Sequence, residues 1–107
     1  MSQEYHITRA PDWMDTGGAE ISDSQWREYA QNDDELRPDP ANGRNSFVWI
    51  GHPAVLEDAW LDWSDGNVYA LDPDQHLTTK MLQVARSLGA QVVDDHNRAV
   101  TQGVKAE

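Results

Sequence analysis

The strongest constraint on the fold of this chain is the pair Asp65-Gly66, which stands between two short runs of β-forming residues. The first run covers residues 58–63 and the second covers residues 67–71. Asp-Gly readily forms the tight turn of a two-residue hairpin, because glycine accepts positive φ values at no steric cost. The sequence therefore predicts two antiparallel strands joined at this pair.

Three further segments have the pattern of β-strands. Residues 4–9 alternate in character, so that Tyr5 and Ile7 share one face and His6 points to the other. Residues 46–51 form an apolar run typical of a central strand, and residues 90–93 form a short one. The stretch from residue 37 to 45 holds two Pro, a Gly and two Asn, which predicts a loop.

Capping signals and apolar periodicity predict two helices. The first covers residues 23–31 and begins with a capping box formed by Ser22 and Gln25. The second follows Asp72, which is the predicted N-cap, with Pro73 at the first helical position. Its predicted inner face consists of Leu77, Met81, Val84, Ala85 and Leu88, and Gly89 ends it.

The predicted order of elements is β-α-β-β-β-α-β. This order is typical of an α+β fold with an antiparallel or mixed sheet of four to five strands and two helices on one face. A length of 107 residues corresponds to a single domain. We place its core at about residues 4–94 and a polar tail at residues 95–107.

The chain is strongly acidic, with 19 Asp and Glu against 8 Lys and Arg and a formal charge of −11. Such a field repels nucleic acid and anionic membranes and speeds encounter with a basic protein. The same charge could equally serve solubility alone. No apolar run is long enough for a membrane span, and residues 1–10 lack the features of a secretion signal, which together predict a cytoplasmic protein.

Residues with catalytic or metal-binding chemistry show no recognisable arrangement. There is no cysteine, and the four histidines lack metal-ligand spacing: His6, His52, His76 and His96. No phosphate-binding loop or nucleophile elbow is present. The sequence therefore predicts no metal, no cofactor and no enzymatic activity.

Two groups of residues are candidate contacts with a protein partner. An acidic run after the first helix has no evident local structural role, and a Trp on the first hairpin strand is flanked by acids at positions two residues away on either side. A Trp among acids on an exposed sheet face is a plausible hot spot for a basic partner, although ordinary sheet packing would also explain it. The six candidate residues are Asp33, Asp34, Glu35, Asp58, Trp60 and Asp62.

Several segments resemble the immunity proteins of bacterial polymorphic toxin systems, which accompany toxins delivered by contact-dependent or type VI secretion. The resembling segments are residues 5–13, 20–22, 51–53 and 59–69, within a similarity that spans roughly residues 4–94. The most distinctive piece is the Trp-x-Asp-Trp-Ser-Asp-Gly-Asn run at residues 60–67. The resemblance implies a non-enzymatic protein that binds one cognate toxin domain and blocks it in the cytoplasm.

Three hypotheses follow. The first is an inhibitor whose acidic surface complements a basic toxin domain such as a nuclease. The second is an acidic interaction or regulatory module with no toxin partner. The third is a small enzyme, which would need a histidine and a carboxylate converging in a deep pocket. A homodimer formed through the strand containing Val92 and Val93 is a further option, unless that edge is protected.

Overall fold

The computed structural model describes residues 3–53 and 59–102. Asp58 lies outside these ranges, as does the rest of residues 54–58. The elements are β1 (Glu4–Thr8), α1 (Asp23–Gln31), β2 (Leu36–Pro38), β3 (Phe47–Trp49), β4 (Trp60–Ser64), β5 (Asn67–Leu71), α2 (Gln75–Leu88) and β6 (Gln91–Val93), with a short 3-10 helix at Pro40–Asn42.

The strands form one antiparallel sheet in the order β2-β3-β4-β5-β1-β6. This confirms the predicted α+β fold with two helices, although the sheet has six strands and the prediction was four to five. The N-terminal strand lies between β5 and β6, so the two ends of the described chain meet in the sheet.

The additional strand is β2, which begins before the predicted loop and includes its first two residues. Leu36 pairs with Trp49 and Pro38 pairs with Phe47, so β2 forms an edge of the sheet. An edge position tolerates proline because only one side of the strand needs its N–H groups. The loop prediction was therefore wrong at Arg37 and Pro38, where pairing with a distant strand outweighs local turn preference.

The predicted hairpin is confirmed between β4 and β5. Asp65 and Gly66 have φ values of 51° and 89°, the combination of a type I′ turn. The carbonyl of Gly66 also accepts a hydrogen bond from Ile21 N, 2.9 Å away. This bond attaches the turn to the segment that leads into α1.

The first helix matches its prediction at both ends. The hydroxyl of Ser22 accepts a hydrogen bond from Gln25 N, and the Gln25 side chain accepts one from Ser22 N, each at 3.1 Å. Two of the four unpaired donors at the helix start are thereby satisfied. On the inner side of α1, the Trp26 ring meets Phe47 of β3 edge to face at 5.5 Å.

The second helix starts two residues later than predicted. Its N-cap is Asp74, whose side chain accepts a hydrogen bond from Leu77 N at 2.8 Å. Asp72 instead receives a 2.7 Å hydrogen bond from Gln3 N and has a φ of 48°. Asp72 thus bonds to Gln3, the residue before β1, and does not cap the helix. The predicted inner stripe of α2 is confirmed, because Leu77, Met81, Val84, Ala85 and Leu88 are all buried.

Both helices pack on one face of the sheet around a single apolar core. The core joins the inner sides of α1 and α2 to alternate residues of the strands. Its largest fully buried side chains include Trp26, Phe47, Ile7, Leu61 and Met81. In the described part of the chain, neither helix is long and apolar enough to cross a membrane.

The segment after β6 folds back onto the sheet. Val93 forms an isolated bridge with Ala99, and Val100 N donates to Val92 O at 2.8 Å. Part of the outer edge of β6 is therefore occupied by the chain itself. A homodimer through β6 would therefore have to pair with the part of this edge that residues 99 and 100 leave uncovered.

Candidate functional site: the helix-free face of the sheet

One face of the sheet carries no helix, and strand alternation decides which side chains it presents. Asp62 pairs with Tyr69, and Tyr69 pairs in turn with His6, so these three side chains lie in a row across β4, β5 and β1. We call this surface the helix-free face. Its residues on these three strands are Glu4, His6, Thr8, Trp60, Asp62, Ser64, Asn67, Tyr69 and Leu71.

Two large apolar side chains of this face are exposed to solvent. The relative accessibility is 38% for Trp60 and 58% for Leu71. They line a pocket of about 240 Å³ together with Asp62, Tyr69 and two residues of the loop before β3, Asn42 and Ser46. The pocket is therefore an aromatic and aliphatic depression with an acid at its side.

A second pocket, of about 490 Å³, lies next to the first and shares Tyr69 with it. Its other lining residues include Glu4 and His6 of β1, Asn67 of β5, and Trp13 and Thr16 of the loop after β1. The Trp13 ring stacks on the His6 ring with centroids 3.6 Å apart and an interplanar angle of 9°. The loop after β1 thus covers the β1 end of the helix-free face and leaves the Trp60 end open.

The helix-free face is acidic where the two pockets meet. Burial and the neighbouring carboxylates of Asp62 and Glu4 raise the pKa of Tyr69. Neither pocket is lined by a lysine or arginine among the described residues. This arrangement favours a positively charged group on whatever binds here.

The structure divides the six predicted contact residues into separate groups. Trp60 and Asp62 lie on the helix-free face; alternation within β4 predicted that they share a face, but not that this face is free of helices. Asp58 is outside the described residues. Asp33, Asp34 and Glu35 lie between α1 and β2, where they line a depression beside α2. The two groups therefore do not form one continuous contact surface.

The acidic run after α1 has a structural role that the sequence did not reveal. Lys80 of α2 is 3% exposed, and its Nζ lies 2.8 Å from both Asp33 Oδ2 and Glu35 Oε1. Tyr29 OH also donates to Asp33 Oδ2 at 2.7 Å. The sequence showed no local role for these acids, and the structure gives Asp33 and Glu35 a role in the tertiary fold, because they neutralise the buried lysine.

Hydrogen bonding keeps these two carboxyl groups ionised. For Asp33, burial acts to raise the pKa, but hydrogen bonds from Lys80 and Tyr29 outweigh it and the pKa is lowered. For Glu35, the hydrogen bond from Lys80 is the main cause of a lowered pKa. Asp34 is exposed and, unlike Asp33 and Glu35, takes no part in the ion pairs of Lys80.

The structure also brings a histidine together with acids, which the sequence analysis did not expect. Nε2 of His6 lies 2.9 Å from Asp95 Oδ1 and 4.0 Å from Glu4 Oε1. His6 is 2% exposed, and these contacts lie beside the larger pocket. The sequence offered no sign of this convergence, because His6 and Asp95 are 89 positions apart.

Comparisons of this chain with family models, with curated proteins and with solved structures found no match.

Sequence reasoning missed Tyr69, Leu71 and Glu4 as residues of the candidate site. The hairpin register would have found two of them, because a two-residue turn at Asp65-Gly66 places Tyr69 opposite Asp62 and Leu71 two residues further along the same face. The pairing of Glu4 with Leu71 depends on a contact across 67 positions of sequence and had no local signal.

Proposed function

We propose that this chain is a non-catalytic immunity protein that binds and neutralises a cognate bacterial toxin domain through its helix-free face. The resemblance described above supports this proposal, since its most distinctive run covers β4, the turn and the start of β5. That run supplies both Trp60 and Asp62. The segment that carries the resemblance thus also carries the exposed part of the candidate site.

The observation that carries the proposal is the exposure of Trp60 beside an acid on a sheet face that lacks a covering helix. Trp60 is 38% exposed and lines the same pocket as Asp62 and Leu71. Tryptophan is enriched among interface hot spots, because it offers a large rigid apolar surface together with an N–H donor. A partner side chain inserted between Trp60 and Leu71 would bury both.

Charge identifies the kind of partner. The chain carries a formal charge of −11, and Asp62 and Glu4 place part of that charge beside the pockets. A basic toxin domain, such as a nuclease whose substrate-binding surface is positive, would be attracted to this face. Covering such a surface would exclude the toxin's own substrate.

A catalytic role for the same face has weaker support. His6 is almost fully buried, and its Nε2 is already hydrogen bonded to Asp95. The nitrogen that faces the acids would have to leave Asp95 before it could exchange a proton with a substrate. This arrangement suits holding a structure together better than moving protons.

The test is co-expression of the chain with the toxic domain encoded next to it, with growth rescue and co-purification as readouts. Trp60→Ala and Asp62→Lys remove the apolar contact and reverse the charge of the proposed face. Glu28→Lys is the matched charge control, because Glu28 is an exposed residue of α1 on the opposite side of the molecule. Circular dichroism establishes that each variant is folded.

We expect rescue and a 1:1 complex with the unmodified chain and with Glu28→Lys, and loss of both with Asp62→Lys. A stable complex without rescue would instead favour an interaction or regulatory module. Neither rescue nor complex would show that the adjacent domain is not the partner. A complex that tolerates both Trp60→Ala and Asp62→Lys would place the interface elsewhere on the chain.

A further inference from the structure

Three potential metal ligands converge at one end of the helix-free face. Glu4 and His6 belong to β1, and Asp95 follows β6; each offers one ligand atom, and these atoms all lie within 4.8 Å of one another. We propose that Glu4, His6 and Asp95 form a binding site for a divalent transition-metal ion of the zinc type. This proposal does not rest on the toxin-binding function, although Glu4 belongs to both sites.

The distances are close to those of a zinc site. Zinc binds histidine nitrogen and carboxylate oxygen at about 2.0–2.2 Å, which places neighbouring ligand atoms of a tetrahedral site roughly 3.3 Å apart. Nε2 of His6 lies 2.9 Å from Asp95 Oδ1 and 4.0 Å from Glu4 Oε1. The three ligand atoms all lie within 4.8 Å of one another, so the two carboxylates, whose side chains are 40% and 37% exposed, would rotate inward to reach the zinc spacing.

The surroundings hold the histidine in a defined orientation. The Trp13 ring stacks on His6, and Trp13 Nε1 donates a hydrogen bond to Asp95 O at 3.2 Å. The second carboxylate oxygen of Asp95 accepts a hydrogen bond from Glu4 N at 3.1 Å. His6 and Asp95 are therefore held in place by contacts that leave their metal-binding atoms free of those contacts, as in many metal sites.

The donor set indicates which ions would bind. One imidazole and two carboxylates suit zinc and related first-row ions, whereas calcium and magnesium prefer sites made of oxygen alone. The two carboxylates also balance the charge of a divalent ion. A bound ion would join the segment after β6 to β1 and so stabilise the folded chain.

The test uses the whole chain, freed of metal with a chelator and titrated with Zn²⁺ by calorimetry and with Co²⁺ by visible absorption. We expect one ion per chain and a rise in the melting temperature with Zn²⁺ that Mg²⁺ does not reproduce. His6→Gln and Asp95→Asn should abolish this binding. Glu4→Gln, at a partly exposed side chain, should weaken it roughly tenfold or more.

The matched control is His76→Gln, because His76 is an exposed residue whose ring lies 4.9 Å from that of His52 and could bind zinc adventitiously. The proposal requires that this variant still bind one ion. Absence of binding to the unmodified chain would overturn the proposal, as would binding that survives Glu4→Gln unchanged or disappears in His76→Gln. Glu4→Gln keeps the test decisive even if His6→Gln does not fold.

Discussion

Lys80 and Asp33 form an ion pair between α2 and the segment after α1, with Nζ and Oδ2 separated by 2.8 Å. The two residues are 47 positions apart in the sequence. Glu35, the residue before β2, completes the arrangement, again at 2.8 Å from Nζ. A lysine buried on the inner side of α2 is therefore matched by two carboxylates of the segment that joins α1 to β2.

Replacing Asp33 with Asn should destabilise the fold more than the same change at the adjacent Asp34. Asp33→Asn removes one of two charges that compensate Lys80, and we expect the free energy of unfolding to fall by about 2 kcal/mol. Asp34→Asn is the matched control and should change it by less than about 0.5 kcal/mol. Urea denaturation followed by tryptophan fluorescence measures both, and equal effects would contradict a structural role for Asp33.

Stability should decrease in acid partly because of the same residues. The pKa values of Asp33 and Glu35 are lower in the folded chain than their ordinary values of 3.8 and 4.5. Their contribution is therefore fully present above pH 4.5 and is lost as the pH falls through the lower folded values. Unfolding measured between about pH 2 and 7 should show a shallower acid slope for Asp33→Asn than for the unmodified chain. Parallel slopes would argue against this linkage.

The hairpin turn should require glycine at position 66 for two reasons. Gly66 has a φ of 89°, and a Cβ there would lie 2.8 Å from Thr16 Oγ1 and 3.0 Å from Glu20 Cγ. Gly18 has a similar φ of 82° but nothing within 4 Å of a Cβ. Gly18→Ala should therefore cost about 1–2 kcal/mol from backbone strain alone. Gly66→Ala should cost roughly a further 1 kcal/mol in thermal or urea unfolding, because Thr16 must also move.

The contribution of the capping box to stability can be tested with two substitutions of Ser22. Ser22→Ala removes the hydroxyl that accepts from Gln25 N, and we expect a loss of about 1 kcal/mol in the free energy of unfolding. Ser22→Gly, which leaves the helix end more accessible to water, should cost only a few tenths of a kcal/mol. If the two variants were equally stable in chemical denaturation, the cap would contribute little here.

If the proposed function holds, binding of the toxin domain should depend on salt. The acidic face should speed association at low ionic strength, and screening should slow it as salt increases. Asp62→Lys should reduce the association rate and make it less dependent on salt. Glu28→Lys should have a smaller effect on the association rate and on its salt dependence. Stopped-flow association at several salt concentrations provides the measurement. A rate that is insensitive to salt would argue against electrostatic steering.

Part of the candidate site could be predicted from sequence. The shared face of Trp60 and Asp62 follows from their spacing of two residues in a strand, and the hairpin register extends that face to Tyr69. The loop that forms a wall of the smaller pocket, with Asn42 and Ser46, had no such signal. Its position depends on how β2 and β3 pair with the rest of the sheet.

The sequence by itself determined the hairpin at Asp65-Gly66, the limits of α1 and the buried stripe of α2. These features depend on backbone preferences and on side chains within a few residues of one another, and such interactions are present in any local stretch of chain. The α+β fold class followed from the order of those elements.

Only the tertiary structure decided the pairing of β2, the later start of α2, the ion pairs of Lys80 and the meeting of His6 with Asp95. His6 and Asp95 are 89 positions apart, and Lys80 lies 45 positions from Glu35. No local stretch of sequence signals contacts at such separations, because closing so long a loop costs entropy that only tertiary packing offsets. At Pro38 and Asp72, tertiary contacts override the local sequence preference: Pro38 pairs with Phe47 in the sheet, and Asp72 accepts a hydrogen bond from Gln3.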